Sequence, residues 1–190
     1  VGPGTDGQVL TSTGAGSPPA FEAVASGKIN KYEVTRLTTN GTLTNPSYTF
    51  TEIPETEVSF TPTTAASYLI VRCHTVCNCK QGSTSNGGEE YFPRTGMACK
   101  EINGSATTLG NEQLHDISLY TNVEHDPNST TGINVSHPCS YVGRFDVNGK
   151  SWSSGAIKFC LGANSGWNYP VVILVNDYAS TVWEITEYSE

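Results

Sequence analysis

The stretch SYLIVRC, residues 67–73, decides the fold class of this chain. It carries a continuous apolar run of strand length, and a second such run, PVVILV, occupies residues 170–175. Short continuous apolar runs suit strands that are covered on both faces. Both segments are therefore predicted to be strands of a β-structure with a covered interior.

Shorter strand signals surround these two runs, each bounded by turn residues. Tyr32 and Val34, for example, alternate with Glu33 and Thr35, which predicts a half-buried strand with one face in solvent. No amphipathic helical pattern of about ten residues or more accompanies these signals. The other predicted strand segments are residues 48–51, 57–61, 116–119, 141–145, 156–161 and 182–186.

The pattern predicts an all-β fold, an antiparallel β-sandwich of the jelly-roll kind with about eight or nine strands. Composition agrees, because 19 Gly, 10 Pro and only 15% charged residues favour strands and turns over helices. Residues 28–190 are predicted to form this sandwich, and residues 1–27 a separate Gly-rich neck. Residues 78–96 and 121–138 are rich in Gly, Ser, Asn and Thr and are predicted to be surface loops.

The net charge of −8 argues against nucleic acid as a partner, because phosphate neutralisation needs clustered Lys and Arg and the ten basic residues are scattered. No apolar run approaches the roughly 20 residues that span a bilayer, so membrane insertion is not expected. Since the sequence begins at Val1, we interpret it as a processed chain or a piece of a longer one.

Six cysteines allow either disulfides or free thiols, and the sequence leaves both open. The segment CHTVCNC, residues 73–79, is the nearest approach to a metal site. It lacks the second pair of ligands that would complete a zinc ribbon. We therefore expect no metal and no other cofactor.

The first residues carry a specific order of small and apolar residues. In GTDGQVLTSTGAGSPPAF, residues 4–21, a Gly-x-x-Gly-Gln-Val-Leu core is followed by Ser, Gly and Ala, then by Pro and an aromatic residue. This segment resembles a motif that recurs in bacteriophage tail fibres and related virion appendages. It departs from that motif at Thr13 and Phe21, where Asn and Trp are common. The matching positions are Gly4, Gly7, Gln8, Val9, Leu10, Ser12, Gly14, Ala15, Gly16, Pro19 and Phe21.

The resemblance implies a neck that leads to a globular tip in a homotrimeric fibre. In that trimer three copies of Val9 and Leu10 would meet around an axis, and glycines such as Gly7 would permit close approach of the backbones. Phe21 belongs to the same predicted neck. The segment would then fold by assembly, whereas composition alone favours a flexible Gly/Ser linker.

Two segments of the predicted sandwich show a looser similarity. ASTVWEITEY, residues 179–188, and VSFTPTTAASYLIVRC, residues 58–73, resemble strands of phage fibre tips and of trimeric jelly rolls of the tumour-necrosis-factor type. Together the resemblances imply a protein of the virion surface that forms homotrimers and contacts other virion proteins. Its tip would bind a glycan or protein of the host cell surface.

Candidate receptor-binding residues are aromatic and amide side chains in loops rich in Gly, Ser and Asn. A flat ring in such a loop stacks on the apolar face of a sugar, while amides bond its hydroxyls. Alternatively, the same rings fill the sandwich end or a subunit interface. The candidates are Trp152, Trp167, Asn168, Tyr169, Tyr91 and Phe92.

The sequence holds no Gly-x-Ser-x-Gly, P-loop or His-Glu-x-x-His motif, so no enzymatic activity is predicted. One alternative is a capsid-surface fibre or decoration protein. A second is a glycan depolymerase of the tailspike type, which would use paired carboxylates such as those in residues 89–90 and 124–126. A third is a secreted eukaryotic trimeric jelly roll, with glycan acceptor triplets. These triplets begin at Asn40, Asn103, Asn128 and Asn134.

Overall fold

A computed structural model describes ten segments of the chain, and all structural statements refer to them. They are residues 8–11, 16, 18–23, 28–44, 49–81, 93–110, 113–118, 134–165, 171–175 and 180–189. In these segments no helix is both long and apolar enough to cross a membrane.

The described residues form β-strands and one short 3-10 helix. The shorter strands of the first half are β1 (Gln8–Thr11), β2 (Ala20–Ala23), β4 (Gly41–Thr44), β5 (Thr51–Glu52) and β6 (Val58–Phe60). The longer strands are β3 (Ile29–Leu37), β7 (Ser67–Gln81), β8 (Pro93–Ile102), β11 (Asn134–Asp146), β12 (Ile157–Ser165) and β14 (Thr181–Ser189). The others are β9 (Ser105–Ala106), β10 (Gln113–Ser118) and β13 (Val171–Val175), and the 3-10 helix is Asn148–Lys150.

Strand β7 is the centre of the first sheet. Strand β11 pairs antiparallel with nearly its whole length, from Tyr68 to Lys80. Its other edge is shared, because β14 pairs with the first half of β7 and β13 with the second half. Strands β3 and β4 then extend the sheet beyond β14 and β13. The first sheet is therefore four strands wide, in the order β3 with β4, β14 with β13, β7 and β11.

The second sheet has the same width. Strands β8 and β12 pair antiparallel at its centre. Strands β9 and β10 share the outer edge of β8, and β5 and β6 share the outer edge of β12. The order is therefore β10 with β9, β8, β12 and β6 with β5.

These two sheets confirm the predicted antiparallel sandwich of the jelly-roll kind. In chain order the principal strands are β3, β6, β7, β8, β10, β11, β12 and β14. The first sheet combines the first, eighth, third and sixth of them, and the second sheet combines the second, seventh, fourth and fifth. This order winds two Greek keys into one sandwich. Its largest fully buried side chains are Trp183, Tyr141, Phe60, Phe145, Phe159, Ile53, Leu69, Met97, Ile157, Leu161 and Ile185.

The strands are longer than the sequence pattern predicts. Strand β7 continues to Gln81, and β8 begins at Pro93, so both ends of the predicted loop 78–96 are strand. Strand β11 begins at Asn134 and includes Pro138, inside the predicted loop 121–138. Proline is tolerated there because β11 is an edge strand, where no neighbour needs the missing N–H. Long-range pairing with β7 overrides the local polar composition.

A buried carboxylate fixes the turn between β6 and β7. Glu187 on β14 is fully buried, and its oxygens accept bonds from the backbone N–H of Thr63 at 3.0 Å and of Thr64 at 3.3 Å. The Thr63 hydroxyl donates a further bond of 3.0 Å. Buried carboxylates persist when such donors replace their hydration. Glu187 thereby ties the 61–66 segment to the first sheet.

The predicted neck is described at two short strands. β1 and β2 pair antiparallel in a hairpin, with Leu10 opposite Phe21 and Val9 opposite Glu22. Strand pairing in this segment is thus made within one chain, which differs from the expectation that the segment folds only by assembly. Gly7 lies outside the described residues, and the boundary at residues 27–28 stays a prediction.

Candidate interaction surfaces

Strand β3 turns its apolar side chains away from the core. Tyr32 and Val34 are 55% and 54% exposed, whereas Lys31 and Glu33, which alternate with them, are half-buried on the inner side. Lys31 bonds Glu33 at 2.7 Å and the Thr61 carbonyl at 2.9 Å. The sequence alternation is confirmed, but its apolar side is the exposed one.

The outward side chains of four strands form one surface, which we name the outer face of the first sheet. Register places Val34, Glu184, Arg72 and Val142 in one row across the sheet. The neighbouring row is formed by Tyr32, Thr186, Ile70 and Arg144. Two flanking rows are Arg36, Val182, His74 and Ser140, and Ile29, Tyr188, Tyr68 and Asp146. Large apolar and aromatic side chains therefore occur on every strand of this face.

Three planar groups stack in a ladder on this face. The rings of Tyr68 and Tyr188 lie 5.2 Å apart at 12° to each other, and the Arg144 guanidinium lies 4.1 Å from the Tyr68 ring centre. Cation–π and ring stacking hold these side chains in fixed conformations. The ladder is a rigid, half-exposed platform that spans β11, β7 and β14.

The arginines of the chain concentrate on the same face. Arg36, Arg72 and Arg144 are three of the four arginines in the sequence. Glu184 and Asp146 are the carboxylates on this face, so its formal charge is +1 (three minus two) in a chain of −8. Among the described residues, this face is a basic surface on a chain that is acidic as a whole.

The outer face of the second sheet is built differently, from ion pairs. Lys100 lies 2.8 Å from Glu52 and 2.7 Å from Glu57, and Lys158 lies 3.0 Å from Glu101. The hydrogen bonds of Lys100 to both carboxylates raise its pKa. Burial alone would raise the pKa of Glu57, but the bond to Lys100 and the charges of both lysines outweigh it and lower the pKa below 4.5. The positive and negative side chains of this surface therefore form ion pairs with one another.

Beside these ion pairs the second sheet has small residues and a cover of its own. Gly96 is registered opposite Gly162, and Ala98 opposite Cys160, and all four are buried. The ring of Phe50 lies over Gly162 and is itself 6% exposed. Phe50 was predicted within a strand, but it precedes β5 and serves as this cover.

The neck hairpin leaves one large apolar side chain in solvent. Leu10 is 56% exposed, and Phe21, registered opposite it, is half-buried. Opposed residues of an antiparallel pair project on the same side. Leu10 and Phe21 therefore form the apolar side of the hairpin.

Trp152 is the one predicted receptor-binding residue that lies in the described segments. Its ring is half-buried against the core, and its indole N–H donates to the Gly155 carbonyl at 3.0 Å. Asn103 holds the same loop, since its amide donates to Ser151 O at 3.0 Å and accepts from Ser153 N at 2.9 Å. The indole N–H of Trp152 and the side-chain amide of Asn103 are therefore both hydrogen-bonded within the chain.

The other candidates, Trp167, Asn168, Tyr169, Tyr91 and Phe92, lie outside the described residues. The paired strand ends that flank them are Ser165 with Pro93 and Val171 with Gln81. These pairs lie at the end of the sandwich where β7 finishes. Trp152 follows β11, whose last residue pairs near the start of β7. Trp152 is therefore attached at the opposite end of the sandwich from these two strand-end pairs.

None of the five cysteines whose side chains are described forms a disulfide. Cys77 and Cys139 approach each other on the inner side of β7 and β11, next to Tyr141 and Thr95, whose hydroxyls lie 2.6 Å apart. The hydrogen bond with Cys77 lowers the pKa of Cys139 to about 7. The same bond, with burial, raises the pKa of Cys77.

Metal binding has no assembled site in the described segments. Among them no group of three His, Cys, Asp or Glu side chains is placed to hold a metal ion. Residues 89–90 and 124–126, considered for a depolymerase, lie outside these segments. The absence of enzymatic activity stays a prediction.

No protein-family model matches the chain, and no curated protein matches it. Solved structures give distant likenesses. One is a structure of infectious bursal disease virus Gx strain, with 8% identity, 95% of this chain and 42% of that chain covered, and a TM-score of 0.36. Another is the infectious bursal disease virus VP2 subviral particle, with 9% identity, 96% and 46% covered, and a TM-score of 0.23. The chain spans less than half the length of each. With TM-scores below 0.5, these likenesses carry no inference about the fold or the function of this chain.

The outer face of the first sheet is the surface that sequence reasoning missed. A signal existed, because YLIV in β7 is apolar at consecutive positions and a strand with that pattern needs cover on both faces. In the structure Leu69 is fully buried, while Tyr68 and Ile70 on the outer side are only half-buried.

Proposed function

We propose that the chain belongs to a trimeric virion appendage, a phage fibre whose β-sandwich tip attaches to the host cell surface. The resemblance of residues 4–21 to the fibre neck motif supports the virion setting. The jelly-roll sandwich directly after it is consistent with a compact tip. Attachment through a tail or through the capsid surface fits the proposal equally.

The observation that carries the trimer is the exposed apolar side of the neck hairpin. Leu10 is 56% exposed, and Phe21 lies opposite it in a two-stranded pair. An isolated two-stranded hairpin is marginal in water and gains stability when its apolar side is covered. Three hairpins around one axis would cover Leu10 of each copy, which closed cyclic symmetry permits.

The trimer gives the tip its mechanism. Three identical tips on one axis hold three binding sites in a fixed relation, so a first weak contact raises the effective concentration of the second and third. Repeated surface glycans are the ligand class that benefits most from such multivalency. Adhesion of this kind requires no chemical reaction at the tip.

The trimer is tested by sedimentation equilibrium on the full chain, residues 1–190. We expect a mass three times the 20.3 kDa of one chain. Leu10→Asn should shift the mass towards one chain, because it removes the apolar side chain without disturbing the core. Thr38→Asn, at an exposed turn, serves as the control and should leave the mass unchanged. A wild-type chain that is monomeric at every concentration contradicts the proposal.

Adhesion is tested on surfaces coated with purified bacterial lipopolysaccharide or capsular polysaccharide. Retention of the trimer should exceed that of the Leu10→Asn chain by about 10²–10⁴-fold on the surface that carries the receptor. The same polysaccharides are assayed for new reducing ends. Cleavage would replace adhesion by the depolymerase alternative, and absence of binding to any bacterial surface would contradict a receptor-binding tip.

A further inference from the structure

We propose that the outer face of the first sheet is the surface on which a second copy of this chain packs, so that the tips as well as the necks meet in the assembly. The inference rests on the proposed trimer. Its evidence lies in a different part of the molecule from the neck hairpin. The occupant is a neighbouring copy, and four observations point to it.

The first observation is the orientation of β3. A register shift of one residue would turn Tyr32 and Val34 into the core and release Glu33 to water. The chain instead holds the inner side in place through Lys31, which bonds Glu33 and Thr61 and lies 4.6 Å from the Phe60 ring centre. The outward apolar side chains are therefore a fixed feature of the folded chain, and they gain stability only when something covers them.

The second observation is the double-sided apolar pattern of β7. Leu69 and Val71 are fully buried in the core, while Tyr68 and Ile70 project to the outer face. Strands with apolar residues on both sides are normally covered on both sides. The described residues of one chain supply only the inner cover, and the outer cover is the role we assign to the partner.

The third observation is the composition of the face. Tyr and Arg are enriched at the centres of protein interfaces, because they bury large areas and still satisfy polar groups. Here Arg144, Tyr68 and Tyr188 form a ladder that is already ordered in one chain. Ordered side chains lose less entropy on association.

The fourth observation selects a copy of this chain as the occupant. The whole chain has a formal charge of −8 and the face has +1, so the remaining residues together carry −9. In a threefold ring the contact is heterologous, and the face of one copy meets a different surface of the next. An acidic neighbouring copy thus offers carboxylates to the net positive charge of this face.

The test introduces charge on strands β3 and β11, at the two ends of one row across the face, in the full chain. Val34→Glu and Val142→Glu replace side chains that are 54% and 47% exposed in one copy, so the fold should tolerate them. Each should raise the concentration needed for assembly by about tenfold or more, since the added carboxylate would face the acidic surface of the neighbouring copy. Ser59→Glu, exposed on β6 of the second sheet, is the matched control and should have no effect.

Tyr32→Ser provides a variant without added charge, and circular dichroism verifies that each variant is folded. Assembly that all face variants weaken and Ser59→Glu leaves intact supports the inference. Assembly that Leu10→Asn dissociates but no face variant weakens overturns this inference and leaves the proposed function standing. A dimer weakened by the face variants supports the face and contradicts the threefold axis, and a monomeric wild type overturns both proposals.

Discussion

The two outer faces of this sandwich solve the same problem in opposite ways. On the second sheet, Lys100 pairs with Glu52 and Glu57, and Phe50 covers the glycine at position 162. On the first sheet, Tyr32, Val34 and Val142 are about half exposed and Tyr68 and Tyr188 are half-buried, with arginines between them. Both faces belong to one jelly roll and frame the same core.

The difference shows where each face is completed. Ion pairs and a local cover complete the second sheet within the described part of one chain. An apolar face costs free energy for as long as it stays in water. The composition of the outer face of the first sheet therefore fits a surface that another molecule covers. Substitutions on this face should change association, whereas substitutions on the outer face of the second sheet should change the stability of the fold.

The largest expected effect is that of a substitution on the outer face of the second sheet, beneath Phe50. A methyl group added at Gly162 would lie within the van der Waals radius of the Phe50 ring and 2.7 Å from the Thr51 carbonyl oxygen. We expect Gly162→Ala to lower the free energy of unfolding by about 3 kcal/mol, because overpacking forces the cover to move. Chemical denaturation measures this change in the free energy of unfolding. Gly110→Ala is the control, since nothing lies within 4 Å of its added methyl group. Equal effects of the two would show that Phe50 does not pack as described.

A smaller effect is expected from the ion pairs. Lys100→Met removes the cation that Glu52 and Glu57 share, although Lys158 still lies 3.7 Å from Glu57, and should cost at most about 1 kcal/mol, because these side chains are about one-third exposed and solvent screens them. The contribution of Glu57 should depend on pH. Its pKa is lowered in the folded chain, so the stabilisation is present above pH 4.5 and is lost as the pH falls through the folded pKa.

The measurement is urea denaturation of the wild type and Lys100→Met from pH 7 down to pH 3. The difference between the two chains should shrink towards the acid end and also shrink with added salt. Ser59→Glu, on the same outer surface, controls for a general change of surface charge. A difference that stays constant from pH 7 to pH 3 would mean that Lys100 acts through packing of its stem and not through its charge.

Much of this fold is readable in the sequence because strand periodicity is local. The run around Leu69 and the alternation of β14 predicted strands, and the sandwich is confirmed. The orientation of β3 is not local, because alternation at Tyr32 defines an apolar side without saying whether the core or a partner covers it. The pairing of β11 through Pro138 also depends on a distant strand. The receptor-binding predictions stay untested, apart from the internal bonds found at Trp152.

The smallest predicted effect extends the comparison to the thiols of the two sheets. Cys139 in the first sheet is 5% exposed, and the hydrogen bond with Cys77 lowers its pKa to about 7. Cys160 in the second sheet is fully buried, and burial raises its pKa. Because the thiolate is the nucleophile, a small neutral reagent such as methyl methanethiosulfonate should modify Cys139 before Cys160, with a rate that has its midpoint near pH 7. Peptide mass spectrometry of the folded chain identifies the modified residue.

Cys77→Ala should raise the midpoint of the Cys139 modification rate, because Cys139 loses the donor that favours its thiolate, while Cys73→Ala should leave it nearly unchanged. Modification of Cys160 first, or a midpoint unaffected by Cys77→Ala, would show that the bond between the two thiols does not control their reactivity.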